Sequence, residues 1–185
     1  IDQYINIGDV VNYGPWSNEC VELIESLNCI NIKGNHEEYF LSGVCNVKND
    51  IVQAFFKKNY STFTKTQEII NYKDEVIFND FLMTHNLKGK EYVFKDTDVD
   101  INKNIIIGHS HQQYHRIINN YDLINPGSIG QNRQNIELSN YIIWDVEKNK
   151  FHLKELLVNP NLLINELEIR KYPKICIDYY KNKIK

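Results

Sequence analysis

No stretch of this 185-residue chain approaches the run of about 20 apolar residues that a helix needs to cross a bilayer, so a membrane-spanning role is set aside. Cysteine is sparse. Cys20, Cys29, Cys45 and Cys176 form no CxxC pair, which speaks against a structural zinc site or a disulfide framework. Cys20 and Cys29 fall in apolar stretches, and the set reads as buried free thiols of a cytoplasmic protein. Positive charge is not in excess: 21 Lys and Arg stand against 24 Asp and Glu, for a net charge of −3 and a pI near 6.1. That balance excludes the broad basic footprint of a duplex nucleic-acid or anionic-membrane binder. Arginine is scarcer still, with Arg116, Arg133 and Arg170 alone among the 21 basic residues. Internal repeats and low-complexity linkers are missing, and nothing speaks to oligomeric state. The chain opens on Ile1, and its single Met is Met83, so an N-terminally incomplete chain is expected.

What remains is the composition of a compact α/β enzyme. With 42% hydrophobic and 12% aromatic residues, positions 1–185 can close one core as a single domain, with a helical tail from about residue 160. Short apolar strands are predicted at Tyr4–Ile7 and Ile30–Ile32, with a helix between them capped by Ser17 or Asn18. Helices follow at His36–Leu41, Asp50–Lys57 and Thr66–Tyr72, then strands at Glu75–Phe78, Phe81–Thr84 and Ile105–Ile107. Lys88–Lys103 reads as a polar, partly irregular excursion placed to cover a cleft. Two hairpins are expected, around Asn119–Asn120 and around Lys148–Asn149. Pro160 precedes a helix at Leu162–Ile169, and the tail after Pro173 reads as a basic amphipathic helix.

Four histidines carry the chemistry. His36 lies in Gly34-Asn35-His36-Glu37, His85 follows an apolar strand, and His109 and His111 share Gly108-His109-Ser110-His111. With Gly8-Asp9 upstream, each sits at or just past a predicted strand end. Imidazole and carboxylate bind Mn²⁺, Fe²⁺, Zn²⁺ or Ni²⁺, and a carboxylate can bridge two such ions. Two ions about 3.5–4 Å apart clamp a phosphoryl group and lower the pKa of a shared water, which makes phosphoester hydrolysis the first reaction to consider. Each residue also has a plain structural reading: Asp9 and Asn35 as turn residues, His36 as a solvated ring at a helix start, His85 as a structural histidine. His109 and His111, two apart on an extended segment, would point to opposite sides, so a sharp turn at Gly108 is required. Gly34 is likewise expected to turn the chain sharply. Glu37 and Glu38 read as first-turn acids favoured by the helix dipole, with Glu37 placed to orient His36. His115 and His152 read as ordinary histidines. Arg133, after Asn125-Pro126-Gly127-Ser128-Ile129-Gly130-Gln131-Asn132, reads either as a clamp on substrate phosphate or as a tie between its loop and a carboxylate.

The blocks GDVVNYGP, GNHE, MTHN and GHSH, in that order, together with GDVVNYGPWSNECVEL and INPGSIGQNR, resemble the calcineurin-like metallophosphoesterases, in particular their small bacterial phosphodiesterase-like branch. The likeness covers most of residues 1–157. It implies a four-layer sandwich, two facing mixed β-sheets flanked by helices. The family's D-x-H block, which precedes Gly8-Asp9 on a first strand, has no counterpart here, so the first strand and helix are expected to be lacking. The resemblance implies that Asp9 bridges two divalent ions, that Asn35, His85 and His109 complete one, and that His111 joins the absent block on the other. It further implies a metal-bridging hydroxide as the attacking group and His36 as the acid that protonates the leaving oxygen. Tyr13 stands where the protein phosphatase pattern GDxVDRG carries Arg. A manganese-type phosphodiesterase acting on a small or nucleotide-like phosphoester is therefore the leading expectation. A monoesterase or protein phosphatase is the alternative, as is a non-catalytic metal-binding scaffold if the D-x-H block is truly lost.

Overall fold

The computed structural model describes residues 1–90 and 92–184. Its first unit runs β1 (Ile5–Asn6), α1 (Ser17–Ser26), β2 (Ile30–Asn31), α2 (Asn35–Ser42), α3 (Asp50–Tyr60) and α4 (Thr66–Ile69). Strands β3 (Glu75–Phe78), β4 (Phe81–Thr84), β5 (Asn104–Ile107), β6 (Gln113–Ile118) and β7 (Tyr121–Pro126) follow. A long hairpin, β8 (Leu138–Asp145) with β9 (Lys150–Leu157), and helices α5 (Pro160–Ile169) and α6 (Lys174–Lys181) complete the described chain.

The strands β3-β4-β5-β7-β6 form one mixed sheet, while β1 pairs in parallel with β2 and β8 antiparallel with β9. Between the five-stranded sheet and the two pairs lies an apolar layer. Phe81, Met83, Ile106 and Ile124 from the large sheet meet Ile32, with Ile5, Ile7, Ile142, Trp144 and Phe151 packed against them. The expected sandwich is thus present. The alternate residues Ile105, Ile107, Tyr114 and Leu123 face the other way. They are covered by Val93, Val99 and Ile101, so the Lys88–Lys103 excursion shields a sheet face as well as approaching the site; Glu91, within it, lies outside the described residues.

Parallel pairing is what positions the site. Thr84 is the register partner of Ile107 in the parallel β4–β5 ladder, so the residues that follow, His85 and Gly108, emerge side by side. The Gly108 N–H then donates to the His85 carbonyl at 3.0 Å. Strands β1 and β2, also parallel, deliver Gly8-Asp9 and Gly34-Asn35 to a second edge. Strand carboxyl ends gathered in this way are the usual place for ligands in α/β sheets.

Several local expectations need correction. Helix α1 starts at Ser17, but neither Ser17 nor Asn18 caps it. The Ser17 hydroxyl accepts the Asn12 N–H at 3.0 Å, and the Asn18 side chain bonds Thr62 and Thr64. Helix α4 ends at Ile69, short of Tyr72. All four cysteines are free, yet Cys20 is exposed and Cys29 half-buried; only Cys45 and Cys176 are buried. Helix α6 is no loose tail, because Cys176 and Tyr180 pack with Phe55, Ile164, Leu167 and Tyr172. Among the described residues no helix is long and apolar enough to cross a membrane.

Burial predicts where stability resides. Leu123, with no exposed surface at the centre of β7, should cost about 2–5 kcal/mol when replaced by Ala, through lost burial and the cavity left behind. Ile117→Ala on neighbouring β6, 73% exposed, should cost less than about 0.5 kcal/mol. Urea unfolding midpoints check the pair; similar losses at both positions would contradict the layer assignment.

Candidate metal centre

His85 is the hub of the cluster. Its Nδ1 lies 2.6 Å from the Ile7 carbonyl, a contact that only an N–H can make, so in the neutral ring Nε2 carries a lone pair. Around Nε2 stand Asp9 Oδ2 at 3.2 Å, Asn35 Oδ1 at 3.2 Å and His109 Nδ1 at 3.1 Å. The ligand atoms of Asp9, His85 and His109 all lie within 4.8 Å of one another. Four lone-pair atoms facing one point repel unless a cation sits among them. A proton meets that need in part: burial alone would lower the His85 pKa, but the Asp9 carboxylate raises it to about 9. Burial and the charge on His85 then push His109 down to about 4. Asp9 is held well below the usual carboxylate range, His85 and His36 overcoming the opposing effect of burial. This donor set fits a divalent transition ion, and the Nδ1 contact to a backbone carbonyl is the usual support of a metal-binding histidine.

His111 joins the cluster from the other side. Its Nδ1 donates to the Gln131 carbonyl at 2.7 Å, and its Nε2 points toward Asp9 Oδ2 at 4.0 Å. His109 and His111 therefore both reach Asp9's neighbourhood despite their spacing of two. The turn expected at Gly108 is made instead by the histidines themselves, both in the left-handed region with φ of 59° and 57°. Gly108 serves close approach: a Cβ there would stand 3.0 Å from the Ile7 carbonyl oxygen and 3.4 Å from His85 Nδ1. Gly34 is a similar case. Its backbone is extended, not sharply turned, and a Cβ would collide with Asp9 Oδ1 and lie 2.5 Å from the Asp9 nitrogen. Asp9 itself has φ of 61°, so three of the donor residues share this left-handed backbone.

The carboxylate of Glu37 holds these loops together. Fully buried, it accepts the N–H groups of Asp9 and Gly34 through one oxygen, both at 2.8 Å, and those of Val10 and Val11 through the other, at 2.8 and 3.1 Å. Burial and the neighbouring Asp9 charge push its pKa up, while those N–H donors pull it back. The expectation of a first-turn acid was too modest. Glu37 does sit in the first turn of α2, but what it organises is the Asp9 loop.

His36 lies behind Asp9, its backbone N–H donating to Asp9 Oδ1 at 3.1 Å. A directed chain sets its tautomer. The Tyr172 hydroxyl donates to Asn59 Oδ1, Asn59 Nδ2 to Asn12 Oδ1 at 3.3 Å, and Asn12 Nδ2 to His36 Nδ1 at 2.9 Å. With Nδ1 accepting, the neutral ring carries its proton on Nε2. Burial lowers the His36 pKa, keeping the ring neutral. Arg133 stands over the Tyr92 ring at 4.9 Å, and Tyr92 stacks on His109 with centroids 4.4 Å apart. Through Tyr92 it lies beside His109, and among the described residues it forms no ion pair. His115 pairs with Asp122 at 2.6 Å on β6 and β7, apart from the cluster.

Residues that sequence reasoning passed over include Asn12, Asn59 and Tyr172 in the chain to His36, and Tyr92 on His109. Asn125 is another, fully buried and donating to the Gly108 carbonyl at 2.6 Å and to Ser110 Oγ at 3.0 Å. Of these, Asn12 and Asn125 carried a sequence signal, Asn12 inside the GDVVNYGP block and Asn125 as the first residue of the NPGSIGQN loop.

The geometry and the sequence comparisons agree on a class. The family model described as the calcineurin-like phosphoesterase superfamily domain matches residues 1–149, so the chain belongs to that superfamily, whose reaction is metal-dependent phosphoester hydrolysis. An uncharacterized protein of Methanocaldococcus jannaschii is 31% identical, the match covering 80% of this chain and 72% of that protein. The fold is similar to a crystal structure of a metallophosphoesterase from Sphaerobacter thermophilus, at TM-score 0.78 and 18% identity over 100% of this chain and 90% of that one. It is also similar to a hypothetical protein from Pyrococcus horikoshii, at TM-score 0.82 and 13% identity over 97% and 84%.

Glu37→Gln tests the loop lock with little change of shape. The introduced NH₂ would face N–H donors and leave buried groups unpaired, at a cost of about 2–4 kcal/mol. The urea midpoint should fall accordingly at constant slope. A loss under about 1 kcal/mol would contradict the role given to Glu37.

Proposed function

We propose that this chain carries the greater part of a site that hydrolyses a phosphodiester, in a small or nucleotide-like substrate, at a pair of divalent transition ions. One ion's donors are present, with Asp9 and His111 alone for the other, so that the chain by itself is expected to be weakly active or inactive. The observation that carries this reading is the convergence of Asp9 Oδ2, Asn35 Oδ1 and His109 Nδ1 on His85 Nε2 at 3.1–3.2 Å. Asn35, His85 and His109 would hold one ion, Asp9 would be shared, and His111 would serve the other. Bound there, the ions would supply Lewis-acid charge to the phosphoryl oxygens and lower the pKa of water.

The chain's own residues do the rest. His36 holds a proton on Nε2 in a neutral ring, fixed by Asn12 and flanked by Tyr13 and Tyr39 at centroid distances of 5.2 and 5.5 Å. That proton goes to the departing oxygen, a role separate from ion binding. Arg133, held on Tyr92 beside His109, offers its fork to a nonbridging phosphoryl oxygen. Tyr13 fills the place that an arginine takes in the protein phosphatase pattern, which favours a diester over a phosphoprotein.

The test compares leaving groups in the metal-loaded protein with a D-x-H block preceding Gly8-Asp9. Hydrolysis of bis(p-nitrophenyl) phosphate should appear with Mn²⁺ and disappear with a chelator. His36→Ala should keep its metal content yet lose about 10²–10⁴ in turnover on alkyl diesters, while losing far less on the activated aryl diester. Equal losses on both classes would remove His36 as the acid, and hydrolysis that survives chelation would overturn the proposed function.

A further inference from the structure

Helix α6 and the residues just after it lie beyond the stretch matched to the family, yet they reach the cluster through Gln131. The Gln131 carbonyl anchors His111, and its side-chain Nε2 donates to the Tyr179 hydroxyl at 2.8 Å. Lys183 Nζ donates to that same hydroxyl at 2.9 Å and to the Arg133 carbonyl at 3.4 Å. Tyr13, from the Asp9 loop, completes the wall, its ring 5.8 Å from that of Tyr179, while the Tyr180 hydroxyl fixes the Tyr13 carbonyl at 2.9 Å.

One feature of this wall points to an anion. Two like charges, Lys183 and Arg133, are held close together and half-buried, and among the described residues neither forms an ion pair. Burial and the Arg133 charge together lower the Lys183 pKa, the cost of a cation without a counter-charge. Lys183 has three N–H groups, and two are used. The third, the Arg133 fork and the Tyr13 and Tyr179 hydroxyls leave donors for a tetrahedral oxyanion.

We propose that Lys183, Arg133, Tyr13 and Tyr179 form a second anion subsite beside the phosphoryl site, and that the substrate carries a distal phosphate which this subsite reads. The inference rests on the proposed hydrolytic reading and narrows its substrate to a phosphoester bearing a second phosphate group. Arg133 lies between the two anions, and Lys183 is the residue that distinguishes them.

The experiment reads binding. The full chain, loaded with Mn²⁺ at fixed free metal, is titrated calorimetrically with methylphosphonate and with ethane-1,2-diphosphonate. Wild type should bind the diphosphonate about tenfold tighter or more, the size of one charge-assisted hydrogen bond. Lys183→Gln should bring that ratio near one, Lys183→Arg should keep most of it, and Tyr179→Phe should lower it part-way. A thermal midpoint equal to wild type shows that each variant is folded. The same wild-type ratio in Lys183→Gln, a wild-type ratio near one, or binding of neither probe would overturn the proposal. A second methylphosphonate per chain, lost in Lys183→Gln with no gain from linking the phosphonates, would assign the subsite to a free anion and equally overturn it. Failure of the hydrolytic reading shows differently, as absent turnover with the tenfold ratio intact.

Discussion

One buried carboxylate sets the geometry on which the site depends. Glu37 binds four backbone N–H groups, three from Asp9, Val10 and Val11 and one from Gly34, and so joins two loops that leave different strands. Without that join, the left-handed backbone of Asp9 would have little to hold it. The approach of Gly34 to Asp9, too close for any Cβ, is the same constraint seen from the other loop. A carboxylate suits the task because it only accepts, and four donors converge on it. The opposing pushes on its pKa are the physical signature of a charge kept inside for its hydrogen bonds.

The second constraint is the junction between sheets. His85 Nδ1 reaches across from the five-stranded sheet to the Ile7 carbonyl at the end of β1, and this bond places Nε2 at the point where Asp9, Asn35 and His109 also arrive. Asn125 performs a similar service one strand further, tying the end of β7 to the loop that bears His109 and His111. The helical residues 160–181 then press on the site from outside. Tyr172 ends the chain of side chains that fixes His36, and Tyr180 pins the Tyr13 carbonyl. A segment that looked like a tail is thus part of the site's supporting structure.

Much of this was legible in the sequence for a physical reason. Strands β3 and β4 announce themselves by turn residues at both ends and match the expected bounds, and the hairpin at Asn119–Asn120 follows from two residues that tolerate positive φ. Asp9, Asn35, His85, His109 and His111 were legible as a set from their order and donor types, and the structure brings them together around His85 Nε2 and Asp9. What was not legible depends on contacts between distant residues. Glu37 in sequence is a common first-turn acid; only the fold shows that three of its four partners lie 26 to 28 positions away. Asn59 and Tyr172, 113 positions apart, leave no local pattern at all. The turn at GHSH was assigned to glycine because glycine usually takes positive φ, whereas here the histidines accept that strain. Exposure of Cys20 was missed because an apolar neighbourhood in sequence is not the same as burial.

Two loops locked by Glu37, and two strand ends joined through His85, bring Asp9, Asn35 and His109 donor atoms to 3.1–3.2 Å from His85 Nε2, the arrangement proposed to hold the first divalent ion. Anomalous diffraction from zinc-loaded crystals of the full chain tests it most directly. An anomalous peak is expected about 2.0–2.2 Å from the Asp9 carboxylate, His85 Nε2 and His109 Nδ1, with the His85 Nδ1 contact to Ile7 retained. A zinc site elsewhere, or a cluster in which His85 Nε2 still bonds directly to Asp9 under saturating zinc, would contradict it.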